Sequence, residues 1–136
     1  MIAPVLALIA WSLFMLVWLY AARIPAMFGL GMTPADFKTP EGATRLPPEV
    51  SAVANNYSHL MEQPTLFYAL CLAIQIGPFT DDIFRMLAWI YVILRIVHSL
   101  IQATSNIVIM RFMIFVCSTL ILVIMTWRAW LATGGL

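Results

Sequence analysis

Four long apolar stretches dominate this chain and constrain what it can fold into. They cover residues 2–22, 50–76, 83–103 and 107–132. A helix needs about 20 apolar residues to cross the roughly 30 Å hydrocarbon core of a bilayer, so each stretch is long enough to span a membrane. The first stretch lacks the positive n-region of a signal peptide and is longer than a typical h-region, which favours a retained membrane helix. The sequence therefore predicts an all-α, multi-pass integral membrane protein with a four-helix bundle as its single domain.

Composition narrows the class of protein further. Of the 136 residues, 63% are hydrophobic and 10% are charged, which argues against a water-soluble enzyme. The formal net charge of +1 offers no basic surface for nucleic acid. Cys71 and Cys117 both lie inside apolar stretches, so we expect two buried free thiols rather than a disulfide or a metal motif.

The connections between the stretches set the order of the helices. Residues 29–49 form the one long polar segment and contain several prolines, which predicts a loop between the first and second helices. Asp81 and Asp82 stand in a short turn before the third helix, where an aspartate can cap the free amides. Basic residues are more numerous on the side of the loop: Arg23, Lys38, Arg45 and Arg111. The positive-inside rule then places the loop in the cytoplasm and both termini outside.

Ionisable and amide side chains interrupt the predicted spans in a regular pattern. The second helix carries Asn55, His59 and Glu62 at spacings i, i+4 and i+7, with Gln63 beside them; the third carries Arg95, His98 and Gln102 at i, i+3 and i+7. At 3.6 residues per turn, each set lies on one face of its helix. Arg111 follows near the start of the fourth helix. Such residues are costly within a membrane and mark functional sites or paired groups.

Two interpretations of these polar stripes remain open. They could form a structural seam between helices, with Glu62 as the acceptor for Arg95 or Arg111. However, one glutamate faces two arginines within the spans, and an unpaired buried cation favours a site for an anionic ligand. Pro64 removes a backbone donor beside the stripe, which predicts either a kink that opens a pocket there or a proline that the membrane helix tolerates.

Other chemistries receive weaker support from the same residues. His59 and Glu62 form an HxxE pair that His98 could complete as a metal site, but the paired motifs of di-iron bundles are missing, and we predict no metal. The same three residues could also serve as a proton relay in an ion-conducting bundle.

The chain resembles the membrane-associated proteins in eicosanoid and glutathione metabolism, the MAPEG family, and its bacterial-type members in particular. The resemblance covers essentially the whole chain. It is carried by the second-helix block from Asn55 to Phe67, by the third-helix block Leu94-Arg95-Ile96-Val97-His98, and by Arg111.

The resemblance implies a homotrimer in a membrane, the bacterial inner membrane for members of this type, with glutathione as co-substrate between neighbouring subunits. It assigns Arg111 to the stabilisation of the glutathione thiolate. Glu62 and Arg95 match family residues that hold glutathione. The remaining candidates depart from the family pattern, which usually has an arginine, an asparagine or tyrosines at these positions: Asn55, His59, Gln63, His98 and Gln102.

We therefore expect a glutathione, or related thiol, transferase or peroxidase acting on lipophilic electrophiles. Arg111 is its predicted catalytic residue, and the other polar residues of the stripes are its predicted cofactor-binding residues. Its expected partners are lipids, a lipophilic small-molecule substrate and further copies of the chain. The alternative is a non-catalytic binding or scaffolding trimer of the same fold.

Overall fold

The apolar stretches form four long helices, joined by one structured loop and two short connections. The computed structural model describes residues 1–134. Its elements are α1 (Ile2–Gly29), a 3-10 turn (Pro34–Lys38), α2 (Pro40–Thr44), α3 (Pro48–Ile76), α4 (Asp82–Ala103) and α5 (Val108–Ala132). The predicted all-α fold with four long helices is confirmed.

The first helix and the loop differ from the prediction. α1 continues past residue 22 to Gly29, because apolar side chains extend its helical pattern and Pro25 does not interrupt it. The segment 29–49 also contains regular structure. The hydroxyl and backbone N–H of Thr33 both donate to Asp36, which caps the 3-10 turn and holds the pKa of that carboxyl below its usual 3.8.

The helices pack as an antiparallel bundle with one loosely closed side. α4 packs extensively against α5, α1 packs against α3, and α3 packs against α4. By contrast, α3 and α5 meet at few positions, which leaves a cleft between them. In the core, the rings of Phe67 on α3 and Tyr91 on α4 stack with their centroids 4.4 Å apart. This stacked pair fixes α3 against α4, and other residues join α3 to α5.

The outer surface of the bundle suits a bilayer. α1, α4 and α5 are long and apolar enough to cross a membrane by length and composition. α3 is 29 residues long but carries the polar stripe, which lowers its hydropathy, so its membrane crossing remains a prediction. Cys71 is buried as expected, but Cys117 is exposed. The expectation for Cys117 was wrong because its apolar stretch has an outward-facing side, which apolar composition alone does not reveal.

One end of the bundle is tied together by polar contacts. Asp81 accepts a hydrogen bond from the backbone N–H of Phe84 at 2.8 Å, so it caps α4 as predicted. Asp81 also pairs with Arg128 of α5. The capping bond and the guanidinium together lower the pKa of Asp81 below 3.8. The amino terminus donates to Gln75 at this same end, so the loop 29–49 lies at the opposite end.

Candidate functional site

A polar cavity lies between α3, α4 and α5, towards the loop end of the bundle. Its volume is about 240 Å³. It is lined by His59, His98, Gln102, Val108, Arg111, Phe112 and Phe115. Four of the residues predicted from the sequence, His59, His98, Gln102 and Arg111, therefore meet in one place.

Arg111 brings an uncompensated charge to this cavity. It lies in the first turn of α5 and makes no ion pair within residues 1–134. Its Nε atom and the Oε1 atom of Gln102 are both buried, and neither has a hydrogen-bond partner in the described part of the chain. Buried polar groups are normally hydrogen-bonded, and a missing partner is a sign of an absent ligand or water. The cavity thus combines a cation with free hydrogen-bonding capacity.

Two histidines form one wall of the cavity. The rings of His59 and His98 meet edge to face, with their centroids 6.4 Å apart. His98 is only 6% exposed, whereas the His59 side chain is 47% exposed and lies 3.3 Å from the carboxylate of Glu62. His59 therefore connects the cavity to the exposed face of α3.

Arg95 is buried behind the cavity and does not pair with Glu62. Its Nη2 donates to the backbone carbonyl of His59 at 2.9 Å, and its Nη1 donates to Oε1 of Gln63 at 3.3 Å. Glu62 is 68% exposed and its ion-pair partner is His59. The expected pairing of Glu62 with Arg95 or Arg111 was wrong, because Glu62 points away from the bundle that buries Arg95.

The remaining predicted residues lie outside the polar cavity. Asn55 and Glu62 are on the exposed face of α3 and do not line it. Gln63 points inwards and donates to the hydroxyl of Thr119 at 2.7 Å. The predicted polar set is thus divided into a cavity group, a buried group and an exposed stripe on α3.

A second, larger cavity lies in the same α3–α5 cleft. Its volume is about 530 Å³. Its lining residues are largely apolar: Gln63, Leu66, Thr119, Leu122, Val123, Thr126, Trp127 and Trp130. We call it the apolar groove. Pro64 adjoins it in sequence, and α3 continues through that proline without a break.

Comparison of the chain with known protein families gives one match. The family model described as "MAPEG family" matches residues 1–131. The chain belongs to the MAPEG family. No curated protein and no solved structure matches the chain. MAPEG is a family of glutathione-related membrane transferases and isomerases, and its members generally use glutathione and generally form oligomers. Together with the three membrane-length helices, membership makes this chain an integral, multi-pass membrane protein.

In this MAPEG chain, several residues of the site region carried no clear sequence signal. Phe112 and Phe115 line the polar cavity, but phenylalanines are common along every span. Asn56 is fully buried and donates to Ser99 at 2.7 Å, although its neighbour Asn55 is exposed. An inward-facing polar residue beside an outward-facing one could have been found from the helical period once the apolar face was known.

The structure also shows how the potential metal-ligating side chains are arranged. Among the residues that the structure describes, no three His, Cys, Asp or Glu side chains are grouped so that they could hold a metal ion. His59, Glu62 and His98 do not form such a group, since Glu62 lies on the exposed face of α3.

Proposed function

We propose that this MAPEG protein is a glutathione transferase or peroxidase that acts on lipophilic electrophiles within the bilayer. The observation that carries the proposal is the position of Arg111. Its guanidinium lines a cavity of about 240 Å³ whose lining residues include no carboxylate. A cation with free hydrogen-bonding capacity is suited to an anionic ligand.

The proposed role of Arg111 is to stabilise the glutathione thiolate. A free thiol has a pKa of about 8.5 and is mostly protonated at neutral pH. A guanidinium beside the sulfur favours the thiolate, which is the nucleophile. In a transfer reaction the sulfur then forms a bond to the electrophilic carbon, and the leaving group departs with its electron pair. His59, His98 and Gln102 offer further polar groups to the bound tripeptide.

The exposed polar stripe on α3 supports assembly into an oligomer. Asn55, His59 and Glu62 all lie on the exposed face of this helix. Polar side chains facing lipid are costly, whereas a neighbouring subunit can satisfy them. We propose the homotrimer implied by the family resemblance, in which Asn55 and Glu62 contact glutathione at the subunit boundary.

The apolar groove is the proposed route for the lipophilic substrate. It opens between α3 and α5, and its lining is almost entirely apolar. The polar cavity lies at the loop end, so glutathione would arrive from the side of the loop, which we propose to be cytoplasmic. A cleft of this kind brings a water-soluble thiol and a bilayer-dissolved electrophile to adjacent positions.

Calorimetric titration of the detergent-purified protein with glutathione tests the proposal. We expect saturable binding that is lost in Arg111→Ala and in Glu62→Ala. Arg85→Ala is the matched control, because Arg85 is exposed and pairs with Asp82 at the opposite end of the bundle. Absence of binding to the folded wild-type protein, or equal loss in Arg85→Ala, would contradict the proposal.

A non-catalytic trimer of the same fold is the second candidate. The hydrogen bonds of Arg95 favour this candidate, because the protein itself supplies the acceptors for this buried cation and the bonds hold the helices together. This candidate predicts a stable oligomer with no thiol-dependent turnover.

A further inference from the structure

Two side-chain hydrogen bonds cross the cleft between α3 and α5 within residues 1–134, and the shorter one joins Gln63 to Thr119. The amide of Gln63 donates to the hydroxyl of Thr119 at 2.7 Å. The two helices otherwise meet at few positions. We call this contact the Gln63–Thr119 bridge.

The bridge lies between the polar cavity and the apolar groove. His59 of α3 and Phe115 of α5 line the polar cavity, while Gln63 and Thr119 line the groove. Each bridge residue comes four positions after its counterpart, which is about 6 Å along a helix. The two cavities are therefore neighbours within one cleft, and the bridge stands at the groove end nearest the polar cavity.

The α3 half of the bridge is firmly held. The Oε1 atom of Gln63 accepts from Arg95 Nη1 at 3.3 Å, from Tyr91 at 3.4 Å and from Ser118 at 3.5 Å. These donors come from α4 and α5, so the amide is fixed from two helices. Thr119 is half-buried and also donates to the carbonyl of Phe115 at 2.8 Å. Its bond to Gln63, at 2.7 Å, is shorter than the 3.5 Å bond that Ser118 of α5 makes to the same amide group.

We propose that Gln63 and Thr119 are specificity-determining residues, whose bridge limits the passage of long-chain electrophiles from the apolar groove to the thiolate in the polar cavity. This inference rests on the proposed function. A small polar electrophile reaches the polar cavity from the loop end and does not pass the bridge. A lipophilic electrophile that approaches along the groove must part Gln63 from Thr119.

The chain provides a matched pair of variants for the test. Thr119→Val removes the bridging hydroxyl and keeps the side-chain shape. Thr126→Val makes the same change in the same groove, but the hydroxyl of Thr126 donates only to the carbonyl of Leu122 in its own helix. All proteins carry Cys117→Ser, so that the exposed thiol does not consume the reagent.

The probes are iodoacetamide and N-dodecyl iodoacetamide, which share one reactive carbon. In both, glutathione sulfur displaces iodide, and the thioether product is quantified together with the thermal stability of each variant. The rate with the dodecyl reagent should rise in Thr119→Val by about three- to tenfold, the equivalent of one hydrogen bond. The rate with iodoacetamide should stay unchanged, and Thr126→Val should resemble the parent with both reagents.

Three other results would contradict the inference, each for a different reason. If the parent protein turns over both reagents but the ratio of their rates is unchanged or falls in Thr119→Val, the bridge does not limit passage. An equal rise in Thr126→Val would assign the effect to the groove as a whole. If the parent protein neither binds glutathione nor turns over either reagent, the proposed function fails and the inference fails with it.

Discussion

The guanidinium of Arg95 donates to the backbone carbonyl of His59 across the α3–α4 interface, at 2.9 Å. This carbonyl lies next to that of Leu60, which Pro64 deprives of its helical N–H partner. Arg95 thus binds α3 one residue before the position where the proline leaves an acceptor without its helical donor. Arg95 is 1% exposed, so the contact sits inside the bundle. It makes the backbone of α3 part of the binding environment of a buried cation.

Replacement of Arg95 by methionine should destabilise the protein. The change removes two hydrogen bonds from a buried charged group, and bonds of this kind contribute about 1.5 to 3 kcal/mol each. We therefore expect a loss of about 3 to 6 kcal/mol in the free energy of unfolding, measured in detergent with a chemical denaturant. Arg85→Met is the control, and this exposed site should change stability by less than about 0.5 kcal/mol. Equal effects in the two variants would show that Arg95 adds nothing beyond a surface charge.

Replacement of Arg111 by alanine should impair thiol chemistry without unfolding the bundle. Without the guanidinium, the pKa of the bound thiol should return towards about 8.5, and the rate at pH 7 should fall about tenfold or more. The rising limb of the rate–pH profile should move to higher pH by the same cause. Arg111→Lys keeps the positive charge and should retain part of the rate. It should not restore the full rate, because lysine lacks the planar guanidinium group. A profile that does not move in Arg111→Ala would remove Arg111 from the mechanism.

Replacement of Glu62 by glutamine should weaken the oligomer or glutathione binding while the protomer stays folded. Glu62 is 68% exposed, and its one ion-pair partner in the described residues is the exposed His59. An exposed pair of this kind adds little to the stability of a single chain. Mass measurement of the detergent-solubilised assembly and calorimetry with glutathione give the two readouts. Loss of helicity in Glu62→Gln would contradict this assignment.

Replacement of Asp81 by alanine should lower thermal stability in a pH-dependent manner. The folded-state pKa of Asp81 lies below its usual 3.8, because its carboxylate accepts from Phe84 and faces Arg128. A depressed pKa means that the stabilisation is present above about pH 3.8 and is lost as the pH falls through the folded-state value. The melting temperatures of Asp81→Ala and the wild type should therefore differ at pH 7 and converge under strong acid. A difference that does not depend on pH would assign the effect to packing.

The two cysteines should react differently with a lipophilic maleimide. Cys117 is exposed on α5, whereas Cys71 is fully buried. We expect labelling of one thiol per chain by mass spectrometry, and loss of that label in Cys117→Ser. Labelling of Cys71 in the folded protein would contradict the packing of α3 described above.

The sequence predicts the helices well because their signals are local. Length and hydropathy are properties of contiguous residues, so four long helices and a membrane setting can be predicted from them. The capping role of Asp81 is equally local, since it depends on an acceptor placed just before a helix. Periodicity also predicts that His59 and Glu62 share a face of α3, as their contact confirms.

The partners of each polar residue depend on which faces of the helices meet. Adjacent residues on a helix point about 100° apart, so Glu62 is exposed while Gln63 reaches across to Thr119. No local pattern predicts that α3 packs on α4 with Arg95 inside. Nor does one predict that α3 and α5 meet at few positions and leave two cavities between them. The sequence by itself determined the helices, their membrane character and the stock of polar groups. Only the tertiary structure decided which of these groups became buried anchors and which were left facing a cavity, because that depends on the rotation of each helix in the bundle.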